Sequence, residues 1–559
     1  MGTSQGFTIR FGTPNITPEF EQPDIGLWTK VMGNSSTGWC YGELLSYHTD
    51  DTTENCLKQA LLDWDQNRLD TPRLNGRFVL IFRRDGSHEW TIITDRVGAM
   101  HAYITRRGER IVEIGSDLAS LDSEHHLDWV GINSFFTFGF FMEDRTYFAD
   151  TKILFPHFIY CISDDGQVIT SQSYWAWHQS VDPKLSYSDA VVEYDRLLRQ
   201  AVRRACNHGQ VILPISGGLD SRSLAAVLPE QIQTYSYGYT EDSVETRIAS
   251  QVASAQGLKF TQHVIHPYLF ERLNEIVRAL HGSQDVTQAR QCSVNGWVRE
   301  QGDVVLTGLW GDLICNQIGL ADGLPERMSI VEYSLRKIHK RGRAWLQDNI
   351  SRHHLGSKDP MVEIVTMAEK GIGSFSDIED IDFRVKAFKT STWVFRWSNS
   401  SLRGFALGAT PRIPYYDVDL IDFFCTVPTA FVRDRRLQID HLKRYAPHLA
   451  RVEWQSAGAN LYWAQYGKWI SFPRRVINRV KRTLKQEKSI QRNWEVQFLS
   501  PERRQQLTST LMTLCPDFVQ QDALQKLIDQ FYQNPDAANG YTVSMLVTLA
   551  GWMAASKLL

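Results

Sequence analysis

Val211-Ile-Leu-Pro-Ile215 is an unbroken apolar run, followed without a spacer by Ser216-Gly-Gly-Leu-Asp-Ser221 and then by helix-forming residues through Leu228. This order of buried-type strand, glycine turn and helix constrains the chain more than any other feature. Two glycines let the backbone turn closely around an anion, and Ser216 and Ser221 bring hydroxyl donors. The helix N-terminus adds free N–H groups and the positive end of its dipole. The turn reads as a phosphate cradle. Neither G-x-x-x-x-G-K-[ST] nor G-x-G-x-x-G occurs in the chain, which sets it apart from the P-loop and the dinucleotide turn. Asp220, inside the cradle, would repel phosphate unless a divalent cation lay between them, and Mg²⁺ held by carboxylates and phosphate oxygens meets that need.

Strands at 211–215, 233–237, 260–265 and 303–307 are separated by helical segments, one of them over Val244–Ala255 with Ser243 as a candidate N-cap. That alternation predicts a doubly wound parallel sheet, with ligands at the carboxyl ends of its strands. Val304-Val-Leu-Thr-Gly-Leu-Trp-Gly-Asp312 ends the fourth strand. If this strand neighbours the first, Gly308 allows a nucleotide close approach and Asp312 faces Asp220 across a metal. Beyond residue 325 the chain reads as mostly helical.

The first 165 residues read instead as layered antiparallel sheet. A hairpin joins Arg77–Phe82 to Trp90–Thr94 through Arg83-Arg-Asp-Gly-Ser87, and further β-type runs follow at 102–105, 111–114, 158–162 and 167–170. Helical spacing begins near Ser188, so the boundary is placed at 175: an amino-terminal domain over 1–175 and a carboxyl-terminal one over 176–559. Lys plus Arg number 60 against 63 for Asp plus Glu, a formal charge of −3, which offers no basis for coating nucleic acid. The eight cysteines stand apart without a C-x-x-C pair, and the amino terminus lacks a signal-peptide pattern, so a reduced cytoplasmic setting is expected. The apolar stretches 135–141 and 543–555 fall short of the roughly 18–20 residues that cross a bilayer, and they read as buried elements, with no transmembrane segment expected.

Ser216-Gly-Gly-Leu-Asp-Ser221 resembles the S-G-G-x-D-S fingerprint of the asparagine synthetase family of ATP pyrophosphatases. Leu74-Asn-Gly-Arg-Phe78, Asp95-Arg-Val-Gly98 and Ile114–Leu121 are similar to the family's amino-terminal amidotransferase fold, and Pro411-Arg-Ile-Pro-Tyr-Tyr-Asp417 to its R-x-P-F-L-D segment. The resemblance does not extend over the last ~90 residues. The resemblance implies an Ntn-hydrolase-like β-sandwich followed by an adenylating domain with a helical extension. It further implies that a substrate carboxylate attacks the α-phosphate of ATP, pyrophosphate leaves on Mg²⁺, and an amine displaces AMP. On that reading Ser216, Gly217, Gly218, Leu219, Asp220 and Ser221 hold ATP, Gly308 admits it, Tyr237 and Gly238 border the adenine, and Asp220 and Asp312 bind the metal.

The sequence departs from the family at three places. Gly2 stands where glutamine-using members carry the amino-terminal nucleophilic cysteine, so nitrogen is expected from free ammonia, from a partner enzyme, or from an amine on the substrate itself. Leu309 stands where members carry Glu or Tyr near the attacking nitrogen. No lysine occurs in Trp454–Gly458, where the family's late lysine is expected, leaving Lys443, Arg444 or Arg451 as substitutes. The missing nucleophile brings in cyclases similar to β-lactam synthetase or lasso-peptide macrolactam synthetase, the latter with a precursor peptide as substrate. A non-catalytic nucleotide-binding scaffold is the reading from a different class. Phe472–Lys488 is a basic amphipathic helix candidate that reads first as a solvated face, and Glu245 follows the second strand as a first-turn acid or a substrate-side group. The adjacent histidines 125–126 and 353–354 lack helical metal-site spacing and read as surface or turn residues.

Overall fold

The computed structural model describes residues 6–13, 18–21, 27–229, 231–320, 322–356, 359–464 and 490–556. The basic segment 474–488 lies outside the described residues. Among the described residues the amino-terminal part has eleven strands: β1 (Gly6–Arg10), β2 (Glu19–Glu21), β3 (Trp28–Met32), β4 (Ser36–Ser46), β5 (Asn75–Arg84), β6 (Glu89–Thr94), β7 (Tyr103–Arg107), β8 (Arg110–Gly115), β9 (Thr151–Ile153), β10 (Phe158–Ser163) and β11 (Val168–Ser173). They form two antiparallel sheets, ordered β2-β1-β8-β7-β9 and β11-β10-β6-β5-β4-β3.

Strand periodicity explains the layering. Along β5, Val79 and Ile81 face the other sheet and pack with Ile9, Ile104 and Ile114, whereas Phe78, Leu80 and Phe82 face the opposite way. There they meet Leu57, Ala60 and Leu61 of the helix Thr53–Asp65. A side-chain period of two divides one strand between two cores, giving sheet, sheet and helix in successive layers.

The carboxyl-terminal part holds a parallel sheet of β12 (Val211–Pro214), β13 (Gln233–Gly238), β14 (Lys259–Val264), β15 (Val304–Leu306) and β16 (Thr410–Arg412), ordered β14-β13-β12-β15-β16. Every neighbouring pair is parallel, and β12 pairs with β15 through Val211 opposite Val304 and Ile212 opposite Val305. Val211 and Leu213 pack with Leu198 and Val202 of the helix Tyr187–Cys206, while Ile212 faces Val294 and Val298 on the other side. The strand is thus covered on both faces, as an uninterrupted apolar run requires. The stretch 135–141 falls partly in the buried helix Trp129–Phe138, and 543–555 in the helix Ala537–Ala555, buried on nearly all sides. Among the described residues no helix is long and apolar enough to cross a membrane.

The two parts share buried contacts. Arg412 on β16 donates to Glu43 on β4 at 2.7 Å and also to the carbonyl oxygens of Ala205 and His208, at 3.0 and 3.2 Å, where the helix Tyr187–Cys206 ends. Asn75 donates to Asp417 at 2.7 Å, and Arg204 donates to the same carboxylate at 2.9 Å and to Asp50 at 2.7 Å. The helix Ala537–Ala555 places Trp552 in a stack on Tyr147, centroids 5.8 Å apart.

Burial pushes the Glu43 carboxyl up, but the Arg412 and Arg77 guanidiniums outweigh it and hold it below the ordinary value of 4.5. A folded pKa below the unfolded one gives a stabilising contribution that is present above pH 4.5 and lost as pH falls through the folded value. Glu43→Gln leaves both buried guanidiniums short of a counter-charge and is expected to cost about 3–5 kcal/mol. It should also flatten the loss of stability on the acid side. Urea unfolding midpoints between about pH 3 and 7 check both outcomes.

Candidate functional site

The strand order reverses between β12 and β15, and open parallel sheets take ligands outside the carboxyl ends of the strands at such a point. The turn after β12 and the loop after β15 meet there. In the turn, Ser221 Oγ accepts from Ser216 N at 3.0 Å and lies 3.3 Å from Ser216 Oγ, which accepts from Gly218 N at 3.2 Å. The Leu219 side chain is fully buried in the sheet core and anchors the turn from below. Asp220 and Ser221 open the helix Asp220–Ala226.

Glycines bring the second loop onto the first. A Cβ on Gly308 would lie 3.0 Å from Ser221 N, and one on Gly311 would lie 2.6 Å from Asp220 Oδ1. Between them Trp310 adopts φ +70°, a conformation that a bulky side chain reaches at a cost of about 1–3 kcal/mol. Its buried ring, edge-on to Trp177 at 5.9 Å and Tyr416 at 5.4 Å, holds it there. The bend delivers the exposed Asp312 into the first turn of the short helix Gly311–Ile314, and its charge reaches Asp220.

Asp220 has partners that no local motif announced. Its Oδ1 is held by the Arg435 guanidinium and by Gln438 Nε2 at 3.2 Å, and its carbonyl oxygen accepts from the Tyr415 hydroxyl at 3.2 Å. Arg435 and its neighbour Asp434 both have positive φ, +63° and +52°. Burial pushes the Asp220 carboxyl above the ordinary range, the Arg435 charge opposes the rise, and the Asp312 charge adds to it. Lys389 lies within electrostatic reach of Asp312, and burial holds its ammonium below the usual lysine range.

The donor set suits Mg²⁺, which uses one or two protein carboxylates and keeps several waters. Asp220 and Asp312 could supply two hard oxygen groups, and the Asp312 charge reaches Asp220. Among the described residues no group of three or more His, Cys, Asp or Glu gathers for a denser metal site. His354 instead stacks on Trp129, centroids 3.6 Å apart.

The segment 454–458, where a lysine was expected, lies against the cradle: Gln455 N donates to Gly217 O at 3.1 Å, and a Cβ on Gly217 would meet Gln455 Oε1 at 2.6 Å. Fully buried Arg222 fixes this approach by donating to the carbonyls of Val452 and Glu453 at 3.0 and 2.6 Å. Of the three expected substitutes, Lys443 pairs with Asp440 and Arg444 lies over Tyr445, while Arg451 is exposed. Tyr237 and Gly238 end β13, the neighbour of β12. Gly238 is required by packing, since a Cβ there would lie 2.6 Å from Ser243 Cβ. Ser243 occupies the N-cap position of the helix Val244–Gln256 without the expected side-chain capping bond. Glu245, in its first turn, places a charge near Tyr237 and Tyr239.

Gly311→Ala drives a methyl group into the Asp220 carboxylate and is expected to weaken, at least about tenfold, the ATP binding that the resemblance of 216–221 implies. Gly296→Ala, whose Cβ meets nothing within 4 Å, should leave binding unchanged. Calorimetric titration of both variants with ATP is the measurement.

Residues 193–345, which contain the cradle, Asp312 and the first four strands of the parallel sheet, match the family model described as asparagine synthase. No curated protein matches the chain. Among solved structures it is similar to glutamine phosphoribosylpyrophosphate amidotransferase from B. subtilis complexed with ADP and GMP, with 12% identity over 49% of this chain and a TM-score of 0.19. The chain spans 62% of that protein's length. A structure described as the allosteric regulatory enzyme of purine biosynthesis is similar at 11% identity, over 48% of this chain and 77% of the other, also with a TM-score of 0.19. Through its segment 193–345 the chain is similar to the asparagine synthase family.

Proposed function

We propose that the protein is an ATP-dependent ligase that forms an amide bond by adenylating a substrate carboxylate, with release of pyrophosphate and AMP. The observation that carries this reading is the meeting of the 216–221 turn with Asp312 across two neighbouring parallel strands. The amino-terminal sheets are read as a degenerate class II amidotransferase-like domain over 1–175, and the rest, 176–559, as the adenylating domain.

The roles follow from the residues. The N–H groups of the turn and the hydroxyls of Ser216 and Ser221 hold the phosphates, with Leu219 contributing its peptide while its side chain stays in the core. Gly308 leaves room for the nucleotide, and Tyr237 and Gly238 border the adenine side. Asp220 and Asp312 hold Mg²⁺, which when bound supplies charge neutralisation at the phosphates. Lys389 and Arg435 add fixed positive charge beside the two acids, in place of the lysine missing from 454–458.

In the first step a carboxylate oxygen bonds to the α-phosphorus and the bond to the β-phosphate oxygen breaks, releasing pyrophosphate. In the second an amine nitrogen bonds to the activated carbonyl carbon, the C–O bond to AMP breaks, and the nitrogen gives up a proton. Leu309 has no atom to receive that proton, so the departing phosphate takes it. The amine is free ammonia or belongs to a second substrate; one carried on the same molecule makes the enzyme a cyclase.

Pyrophosphate–ATP exchange across a panel of carboxylic acids and peptides tests the reading. Exchange should depend on one acid and on Mg²⁺, and Asp220→Asn and Asp312→Asn should each lower it by about 10²-fold or more. Ordinary ATP binding with no exchange for any acid would instead favour a nucleotide-binding scaffold.

A further inference from the structure

A cavity of about 410 Å³ lies between the amino- and carboxyl-terminal parts, and none of its lining residues belongs to the 216–221 turn or to the loop 308–312. Its volume is that of a site for a small organic molecule. One wall is apolar, with Ala99, Met100, Leu402, Ala406 and Leu407, and the remainder carries an excess of positive charge.

Four arginines line it: Arg77, Arg278, Arg299 and Arg403. Arg77 is 5% exposed, and its Nε and Nη2 are buried without a hydrogen-bond partner. The acid beside it, Glu43, stands 3.7 Å from Arg77 Nε but only 2.7 Å from Arg412, so one carboxylate serves two buried guanidiniums. Arg403 has no carboxylate partner among the described residues; its Nη1 meets His281 Nε2 at 2.5 Å. Burial and the Arg403 charge hold His281 well below the ordinary histidine range, so that ring adds no charge of its own. Arg278 and Arg299 donate to backbone carbonyls, of Ala555 at 2.5 Å and Leu407 at 2.7 Å.

Of the two lining acids, Glu275 is taken by Arg272 at 2.7 and 2.8 Å. Asp117 remains, 3.6 Å from His281. His101 completes the polar side with a buried Nδ1 that has no partner. A buried guanidinium with unmade hydrogen bonds is costly unless something fills the space beside it.

We propose that this cavity binds a small carboxylate anion between the Arg77 and Arg403 guanidiniums. Planar two-pronged donors match a carboxylate, and the apolar wall accommodates a short carbon skeleton that inorganic phosphate lacks. The ligand would touch both parts of the chain, since Arg77 lies on β5 and Arg403 on the helix Asn399–Ala406.

The test is calorimetric titration of the full chain with acetate, succinate, glutarate and benzoate, with succinamide as the neutral counterpart of succinate. At least one of the acids is expected to bind saturably at one site per chain, and succinamide should not bind if that acid is succinate. Arg403→Met, at a half-buried position, should weaken binding at least about tenfold, as should Arg77→Met where it folds. Asp312→Asn should leave the isotherm unchanged, which separates this site from the adenylating one. Absence of saturable binding by all four acids, equal binding of succinate and succinamide, or an unaltered isotherm in Arg403→Met would overturn the proposal.

Discussion

Arg412 is the residue on which the architecture turns. It sits on the edge strand beside β15, pairs with Glu43 from the amino-terminal sheets, and closes over carbonyls at the end of the helix Tyr187–Cys206. One guanidinium thereby joins a parallel sheet, a helix terminus and an antiparallel sheet. A helix leaves its last carbonyls unsatisfied, and an arginine's five donors can meet several at once. Because β15 pairs with β16 on one side and β12 on the other, the strands that lead to Asp312 and to the 216–221 turn are braced from the same corner.

Charge organises the interior of this protein as firmly as apolar packing does. Asp417 gathers Asn75 and Arg204, while Asp220 gathers Arg435 and Gln438. Both acids are matched by groups distant in sequence, as the desolvation cost of an isolated buried charge demands. The interface cavity is the exception: arginines outnumber the acids available to them there, and that imbalance distinguishes it from the structural ion pairs around it.

The sequence revealed those parts of the site that local physics determines. A strand, a glycine turn and a helix succeed one another within a dozen residues, so the turn and its place in a parallel sheet were readable, whereas the pairing of its strand with the one that leads to Asp312 stood only as a condition that the sheet order meets. Arg435, Gln438 and Lys389 were not, because they reach the acids from far along the chain without a spacing rule to mark them. Lys443 and Arg444 were plausible by position alone, but the turn of the helix Arg436–Tyr445 sends them to Asp440 and Tyr445. Strand β16 escaped notice because it is three residues long and contains Pro411, which suits only a sheet edge or a strand end. Ser243 has the right residue type for a cap, but its side chain abuts Gly238.

Arg435 carries a further consequence. The guanidinium seated on Asp220 is an incumbent, so a cation bound there, as the proposed function requires, would compete for an oxygen already engaged. The affinity measured for that cation is then a difference between two attractions, set as much by how firmly Arg435 is retained as by the two carboxylates. Its left-handed backbone, shared with Asp434, makes the seated position a conformation that the surrounding fold must maintain. The Arg435 guanidinium thereby offsets the buried Asp220 carboxylate within the fold itself.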